Sequence, residues 1–274
     1  MILSIITVNL NNRDGLQKTI DSVVSQTFRD FEWIIIDGGS TDGSKELIEQ
    51  YSNHFAYWVS EPDKGIYNAM NKGVKMAKGE YLFFLNSGDA LIEKHILSDV
   101  LSNNPSEDIL YGDIVYDYPD KRWVYKIQHT ITARYFISGD TIPHSGGAFI
   151  KRSVISEYGP FDESLKITAD WKLFLKAIVL GRATTKHLGI TLSLFDTQGI
   201  STTNTALTKQ EHRIVVSELF SPAILADYEH LFNIEKENRT LKSDAYNLNN
   251  LISLPIKTLR KAIFLKIKQR LRLS

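Results

Sequence analysis

Asp37, Asp63 and Asp89 each follow an apolar run, in IIIDGG, SEPDKG and LNSGD, and a fourth aspartate, Asp170, opens the amphipathic stretch TADWKLFLKA. Carboxylates in such places fit two chemistries. One is the holding of a hard divalent cation such as Mg²⁺ or Mn²⁺, which takes oxygen ligands. The other is general-base work, in which a carboxylate removes a proton from an attacking hydroxyl. Three carboxylates at one sheet edge would repel each other unless a cation or hydrogen-bond donors met them. Asp14 and Asp42 have a plainer reading as caps of the helices that carry Leu16 and Leu47.

The elements that must position these groups show as a change of period. Residues 2–8 are a β-rich run, after which Leu16, Ile20, Val23 and Val24 recur at helical spacing. A second run at 31–36 precedes Leu47, Ile48 and Tyr51 on one helical face. A third strand at 55–59 precedes Ile66, Ala69, Met70, Val74 and Ala77, and a fourth follows at 81–85. Apolar strands separated by amphipathic helices predict an α/β fold, a mainly parallel sheet with helices on both faces. Ligands bind such sheets at the C-terminal strand edge, where VNLNN, IDGGSTDGS, SEPDKG and NSGD all lie.

Farther on, residues 109–116 and 122–127 alternate like a hairpin around Pro119-Asp120, and IPHSGGAFIK reads as a strand beginning at His144. Trp171, Phe174, Leu175, Ile178 and Val179 share a helical face, with Thr168 near the N-cap and Asp170 in the first turn. The helix dipole alone favours an acid there, and Asp89 has the rival reading of a cap for the helix through Ile96 and Val100.

A 43% hydrophobic and 23% charged composition indicates a globular chain, not a disordered one. The absence of cysteine excludes a disulfide framework and a thiolate metal site and fits a reducing compartment. MILSIITVNLNN is too short for a spanning helix and has no basic lead, so we expect a cytoplasmic protein. The 32 basic residues balance 32 acidic ones, but seven of the basic ones and no acidic one fall in the tail at 255–274, leaving the rest net −7. In that tail Ile256, Leu259, Ile263, Phe264, Ile267 and Leu271 share one helical face. A basic amphipathic helix of this kind suits the surface of an anionic membrane. Packing on the acidic body or on a partner subunit is the alternative, and nothing else supports nucleic acid as a partner.

Taken together, SIITVNLNN, IIIDGGSTDGS, SEPDKGIYNAMNKGVKMAKGEYLFFLNSGD and TADWKLFLKA resemble the inverting glycosyltransferases of family 2, with the GT-A fold, in their bacterial exopolysaccharide and O-antigen group. The resemblance covers about residues 1–200. It implies a nucleotide-sugar-binding part at 1–90, an acceptor-binding and catalytic part of the same domain at 91–203, and a helical extension at 204–274. It places Asp37 at the nucleotide base, Asp63 near base and ribose, and Asp89 on a divalent metal, Mg²⁺ or Mn²⁺, at the donor diphosphate. Asn9, Asn71, Asn86, Ser87 and His144 join the donor-binding set, and Asp170 becomes the base. His144 has two further readings, at an acceptor hydroxyl or as a structural histidine, and residues 198–201 resemble a loop that closes near the diphosphate.

The implied partners are a nucleotide-sugar donor, a glycan or lipid-linked acceptor, and the cytoplasmic face of the inner membrane through the tail; a homo-oligomer is compatible with all of them. Three departures stand out: Gly38 replaces a second aspartate, Met70 replaces an arginine, and Asn86 or Ser87 stands where the metal turn usually opens with aspartate. A nucleotidyltransferase is the rival enzyme, but VNLNNRDG lacks its Gly-rich phosphate loop. A non-catalytic sugar-nucleotide-binding or assembly protein is separated only by assay.

Overall fold

A computed structural model describes residues 2–102, 104–118 and 120–252, with side chains to 243; the basic tail lies outside the described residues. Strands β1 (Leu3–Asn9), β2 (Phe31–Asp37), β3 (Tyr57–Ser60) and β4 (Tyr81–Phe84) form the parallel half of one sheet in the order β3-β2-β1-β4. They carry little polar alternation because both faces are covered. Helices α1 (Arg13–Val24) and α2 (Ser44–Gln50) cover one face, burying Leu16, Ile20, Val23, Leu47 and Ile48 against Leu3, Ile5, Trp33 and Ile35. Helix α3 (Ile66–Met76) covers the other so closely that a Cβ on Gly73 would come within 2.5 Å of Ile6.

The α1 helix is capped by Asn12, whose Oδ1 accepts from Gly15 N, and not by the exposed Asp14. Asp42 serves two helix starts, accepting from Arg13 N at 2.8 Å and Ser44 N at 3.1 Å. After β4, the short β5 (Ala90–Leu91) and α4 (Ile96–Leu101) extend the core on the α1 side.

Beyond α4 the sheet is mixed. β6 (Ile109–Asp117) and β7 (Arg122–Tyr125) form the expected hairpin. Then come α5 (Ala133–Ile137), β8 (Ala148–Lys151), α6 (Arg152–Tyr158) and α7 (Ala169–Phe174), which runs into a π-helical turn at Leu175–Leu180. β8 lies antiparallel between β4 and β6, while β9 (Thr185–Asp196) runs parallel to β6 and ends antiparallel to β5. The strand expected from His144 thus begins at Ala148. Residues 144–147 are loop because Gly146 takes φ +68 and the Ser145 hydroxyl reaches Asp89. The short α8 (Ile200–Thr203), α9 (Thr205–Leu219) and α10 (Pro222–Ile252) follow. One compact unit spans Met1–Val216 and a second begins at Ser217. Among the described residues no helix is long and apolar enough to cross a membrane.

Candidate active site

A cavity of about 1410 Å³ opens at the C-terminal edge of β1 and β4. Asn9, Asp63, Asn86, Ser87, Asp89, His144 and Asp170 all line it, as do residues 198–201, so sequence positions up to 192 apart meet at one place. Asp37 and Asn71 do not.

Asp37 is fully buried at the end of β2 and its oxygens are taken by protein donors. Asn9 Nδ2 and Ser40 Oγ donate to Oδ1 at 2.7 and 2.6 Å; Ser40 N and Ser60 Oγ donate to Oδ2 at 2.9 and 2.6 Å. Burial alone would raise its pKa, but these donors together hold it below the usual value. Asp37 therefore fastens the exits of β1, β2 and β3 together. Asn71 is likewise structural. It donates to Phe161 O and Glu163 Oε1 and accepts from Phe161 N, tying α3 to the segment before α7. Asp63 does face the cavity and accepts from Gly65 N at 2.8 Å. At Gly38, where the resemblance expects a second aspartate, a Cβ would stand 2.6 Å from Asp63 Oδ2, the movable tip of a side chain.

The NSGD turn is pinned from three elements. Thr19 of α1 donates from Oγ1 to Asp89 O at 2.7 Å and accepts from Gly88 N. The Ser145 hydroxyl donates to Asp89 Oδ2, and Asp196 N donates to Oδ1 at 2.8 Å. Gly88 takes φ +102, and any Cβ there would be 2.5 Å from Asp196 Oδ2. The glycine thus makes room for a second carboxylate beside Asp89. Asp89 is 3% exposed, and burial pushes its pKa up to about 6 despite those two donors.

Asp170 and His144 form a buried pair, with His144 Nδ1 2.8 Å from Asp170 Oδ2. Asp170 Oδ1 accepts from Tyr67 Oη at 2.6 Å, and the same hydroxyl lies against Ile167 O. Burial works against both charges, yet the His144 charge and hydrogen bond hold Asp170 below the carboxylate range, and Asp170, then Asp89, hold His144 above its ordinary value. Glu211 of α9 positions the whole segment. Its carboxylate accepts from Lys166 N, Ile167 N and Thr168 N at 2.8, 3.0 and 3.1 Å and from Thr168 Oγ1 at 3.0 Å. Those bonds fix the segment that leads into α7, and Thr168 forms no side-chain cap of its own.

Tyr67, Ser145, Asp196 and Glu211 were not legible as site residues. Tyr67 offered a faint signal, a polar-tipped ring four positions before Asn71 on the α3 face turned toward Phe161. Glu211 offered none, being an ordinary acid in a polar helix.

Among the described residues four buried side-chain polar atoms lack a hydrogen-bond partner, and three of them, Asn9 Oδ1, Asn86 Oδ1 and His144 Nε2, belong to residues that line this cavity. Buried polar atoms are otherwise nearly always paired, so this concentration marks a surface shaped for a polar ligand. Among the described residues no three acidic or histidine side chains converge as a ready cage for a metal ion. The donors present are still of the right kind. Asp89 keeps lone pairs beyond those its two partners use, Asp196 stands beside it, and the Asn86 amide oxygen is free. That set suits a hard cation whose remaining ligands come from a diphosphate and water.

Comparison with known proteins gives a consistent picture. The profile of the family described as Glycosyl transferase family 2 matches residues 4–159. An uncharacterized glycosyltransferase of Mycobacterium tuberculosis is 33% identical over 205 residues, which cover 72% of this chain and 76% of the relative. Among solved structures, TarS 1–349 of S. aureus in complex with UDP superposes with a TM-score of 0.60 at 21% identity over 72% of this chain, which spans only 60% of that one. A mannosyltransferase from Pyrobaculum calidifontis in complex with GDP-Man and Mn²⁺ gives a TM-score of 0.60 at 14% identity, covering 99% of this chain and 80% of that chain. Both structural likenesses speak for a shared fold.

Proposed function

The chain belongs to glycosyl transferase family 2, and from that premise we propose that it moves a sugar from a nucleotide-diphospho-sugar to an acceptor hydroxyl with inversion at the anomeric carbon. The observation that carries this reading is the cavity at the sheet edge, where three residues with unpartnered buried polar atoms, Asn9, Asn86 and His144, line the same space as Asp63, Asp89 and Asp170. Asp63 and the Asn9 amide oxygen suit the nucleoside. Asp89, with Asp196 and the Asn86 amide oxygen, would hold Mg²⁺ or Mn²⁺ against the diphosphate. Such an ion offsets the charge that develops on the leaving group. Asp170 supplies the negative charge that drives removal of the acceptor proton. UDP and GDP-Man in the two solved relatives support a nucleotide-sugar donor of this general kind.

A screen of UDP-, GDP- and dTDP-sugars for nucleoside diphosphate release, with and without Mg²⁺ and Mn²⁺, tests the reading. One donor class should be hydrolysed slowly and should stabilise the fold, by about 2.7 kcal/mol when present at about a hundred times its Kd. Neither turnover nor stabilisation with any sugar nucleotide would refute it.

The basic tail supports a lipid-linked acceptor in surface polysaccharide synthesis, met at the cytoplasmic face of a membrane. Each Lys or Arg near anionic lipid contributes about 1 kcal/mol. Removing residues 255–274 should release the protein from phosphatidylglycerol-containing liposomes at low salt and leave donor hydrolysis in solution unchanged. Full-length protein that ignores such liposomes would end the membrane reading alone.

A further inference from the structure

We propose that the atom that takes the proton from the acceptor hydroxyl is Nε2 of His144, with Asp170 behind it as a positioning residue. The inference rests on the transferase reading above and refines its mechanism. Motif matching puts the base on Asp170, yet each oxygen of that carboxylate is already engaged by a protein group. Oδ1 accepts from Tyr67 at 2.6 Å and Oδ2 faces His144 Nδ1 at 2.8 Å. The imidazole is in the opposite condition: Nδ1 is engaged, Nε2 is buried with no partner, and the residue lines the cavity. When Nδ1–H is donated to Asp170, Nε2 carries the lone pair. A carboxylate behind an imidazole in this way fixes the tautomer and stabilises the imidazolium that forms.

The ring is held for that role. The Phe84 ring meets it edge-on at 6.2 Å, and the next residue, Ser145, is anchored to Asp89. Asp170 itself is fixed by Tyr67 from α3, and its helix start by Glu211 from α9.

In the transfer, the acceptor oxygen bonds to the anomeric carbon on the face opposite the diphosphate. The bond from that carbon to the diphosphate oxygen breaks, and its electron pair leaves with the diphosphate. The hydroxyl proton passes to Nε2, and the imidazolium, paired with Asp170, later gives it to water.

The charged and titratable groups acting on His144 are Asp170 on α7 and Asp89 after β4; Tyr67 acts on Asp170, and Asp170 acts in turn on His212. Burial would lower the pKa of His144, but Asp170 and Asp89 together hold it above its ordinary value, so Nε2 becomes available only as pH rises through that raised pKa. A cation on Asp89 would remove that carboxylate's share and leave Asp170 as the controlling charge.

The test is nucleoside diphosphate release from UDP-GlcNAc, GDP-mannose and any further donor the screen identifies, with Mn²⁺, measured against pH for the wild type, His144→Asn and His144→Ala, beside calorimetric binding of UDP and GDP. His144→Asn should lower turnover by roughly 10²- to 10⁴-fold, keep nucleotide affinity within about threefold, and lose the rising limb near neutral pH. Free imidazole should restore part of the His144→Ala rate, which a purely structural histidine would not allow. A loss of UDP or GDP affinity of about tenfold or more in His144→Asn would instead make His144 a diphosphate contact. A rising limb below about pH 5 that survives in His144→Asn would return the base to Asp170. A wild type silent on every sugar nucleotide would sink the transferase reading and this role with it, whereas an active wild type with an unimpaired His144→Asn sinks this role alone.

Discussion

Asp170→Asn is expected to lower sugar transfer by roughly 10²- to 10⁴-fold while UDP or GDP binding stays near the wild-type value. Asparagine keeps the size and one acceptor oxygen but removes the charge that holds His144 in its working tautomer and stabilises it once protonated. Asp170 is 7% exposed, with Tyr67 on one oxygen and His144 on the other, so the new amide N–H₂ must face one of two former donors. Leaving such a buried group mismatched costs about 1–3 kcal/mol, a drop that a thermal melt would register without unfolding the chain. The start of α7 keeps its Glu211 bonds in the variant, so the loss should be chemical and not architectural. Loss of UDP and GDP binding in step with turnover would place Asp170 in the donor site, and a chain that no longer folds would reduce it to a buried structural acid.

The parallel half of the fold was legible because both faces of β1, β2 and β4 are buried, which leaves apolar runs such as that at 81–85 ending in polar turns. The same logic pointed to the sheet edge as the site, and most of the polar residues there do line the cavity. It failed where the partner of a polar group is remote in sequence. Asp37 looks like a ligand-facing carboxylate, yet its donors come from Asn9, Ser40 and Ser60, and only the fold shows that these converge on it. Glu211 acts on a backbone segment 43 to 45 positions away, a relation that leaves no mark in composition or period. IPHSGGAFIK reads as a strand from His144, but Gly146 and the Ser145–Asp89 bond turn its first residues into loop, and His144 lines the cavity from there.

Asp89→Asn should abolish the metal dependence of donor binding, so that UDP and GDP bind equally with and without Mn²⁺ and donor hydrolysis disappears. Position at a strand end suggests a solvent-facing ligand whose loss leaves the fold untouched; its burial corrects that expectation. The carboxylate cross-links Ser145 and Asp196 N, so Asp89→Ala would strand two buried donors at about 1–3 kcal/mol each. Asparagine is the sharper probe, because its oxygen can still accept from Asp196 N while its N–H₂ donates to a Ser145 hydroxyl that rotates to accept. Charge, and not packing, is then what the substitution removes. The wild-type carboxyl titrates at about 6 in the fold against 3.8 in the unfolded chain, so its contribution to stability is fully present below 3.8 and is lost as pH rises through about 6. The metal-free wild type therefore carries a penalty of about 2–3 kcal/mol at neutral pH that asparagine lacks. Melts of the two proteins without metal should accordingly diverge in favour of Asp89→Asn between pH 4 and about pH 7. A variant that still binds UDP or GDP more tightly with Mn²⁺ would move the metal off Asp89, and Asp196, the neighbouring carboxylate, would be the next group to test.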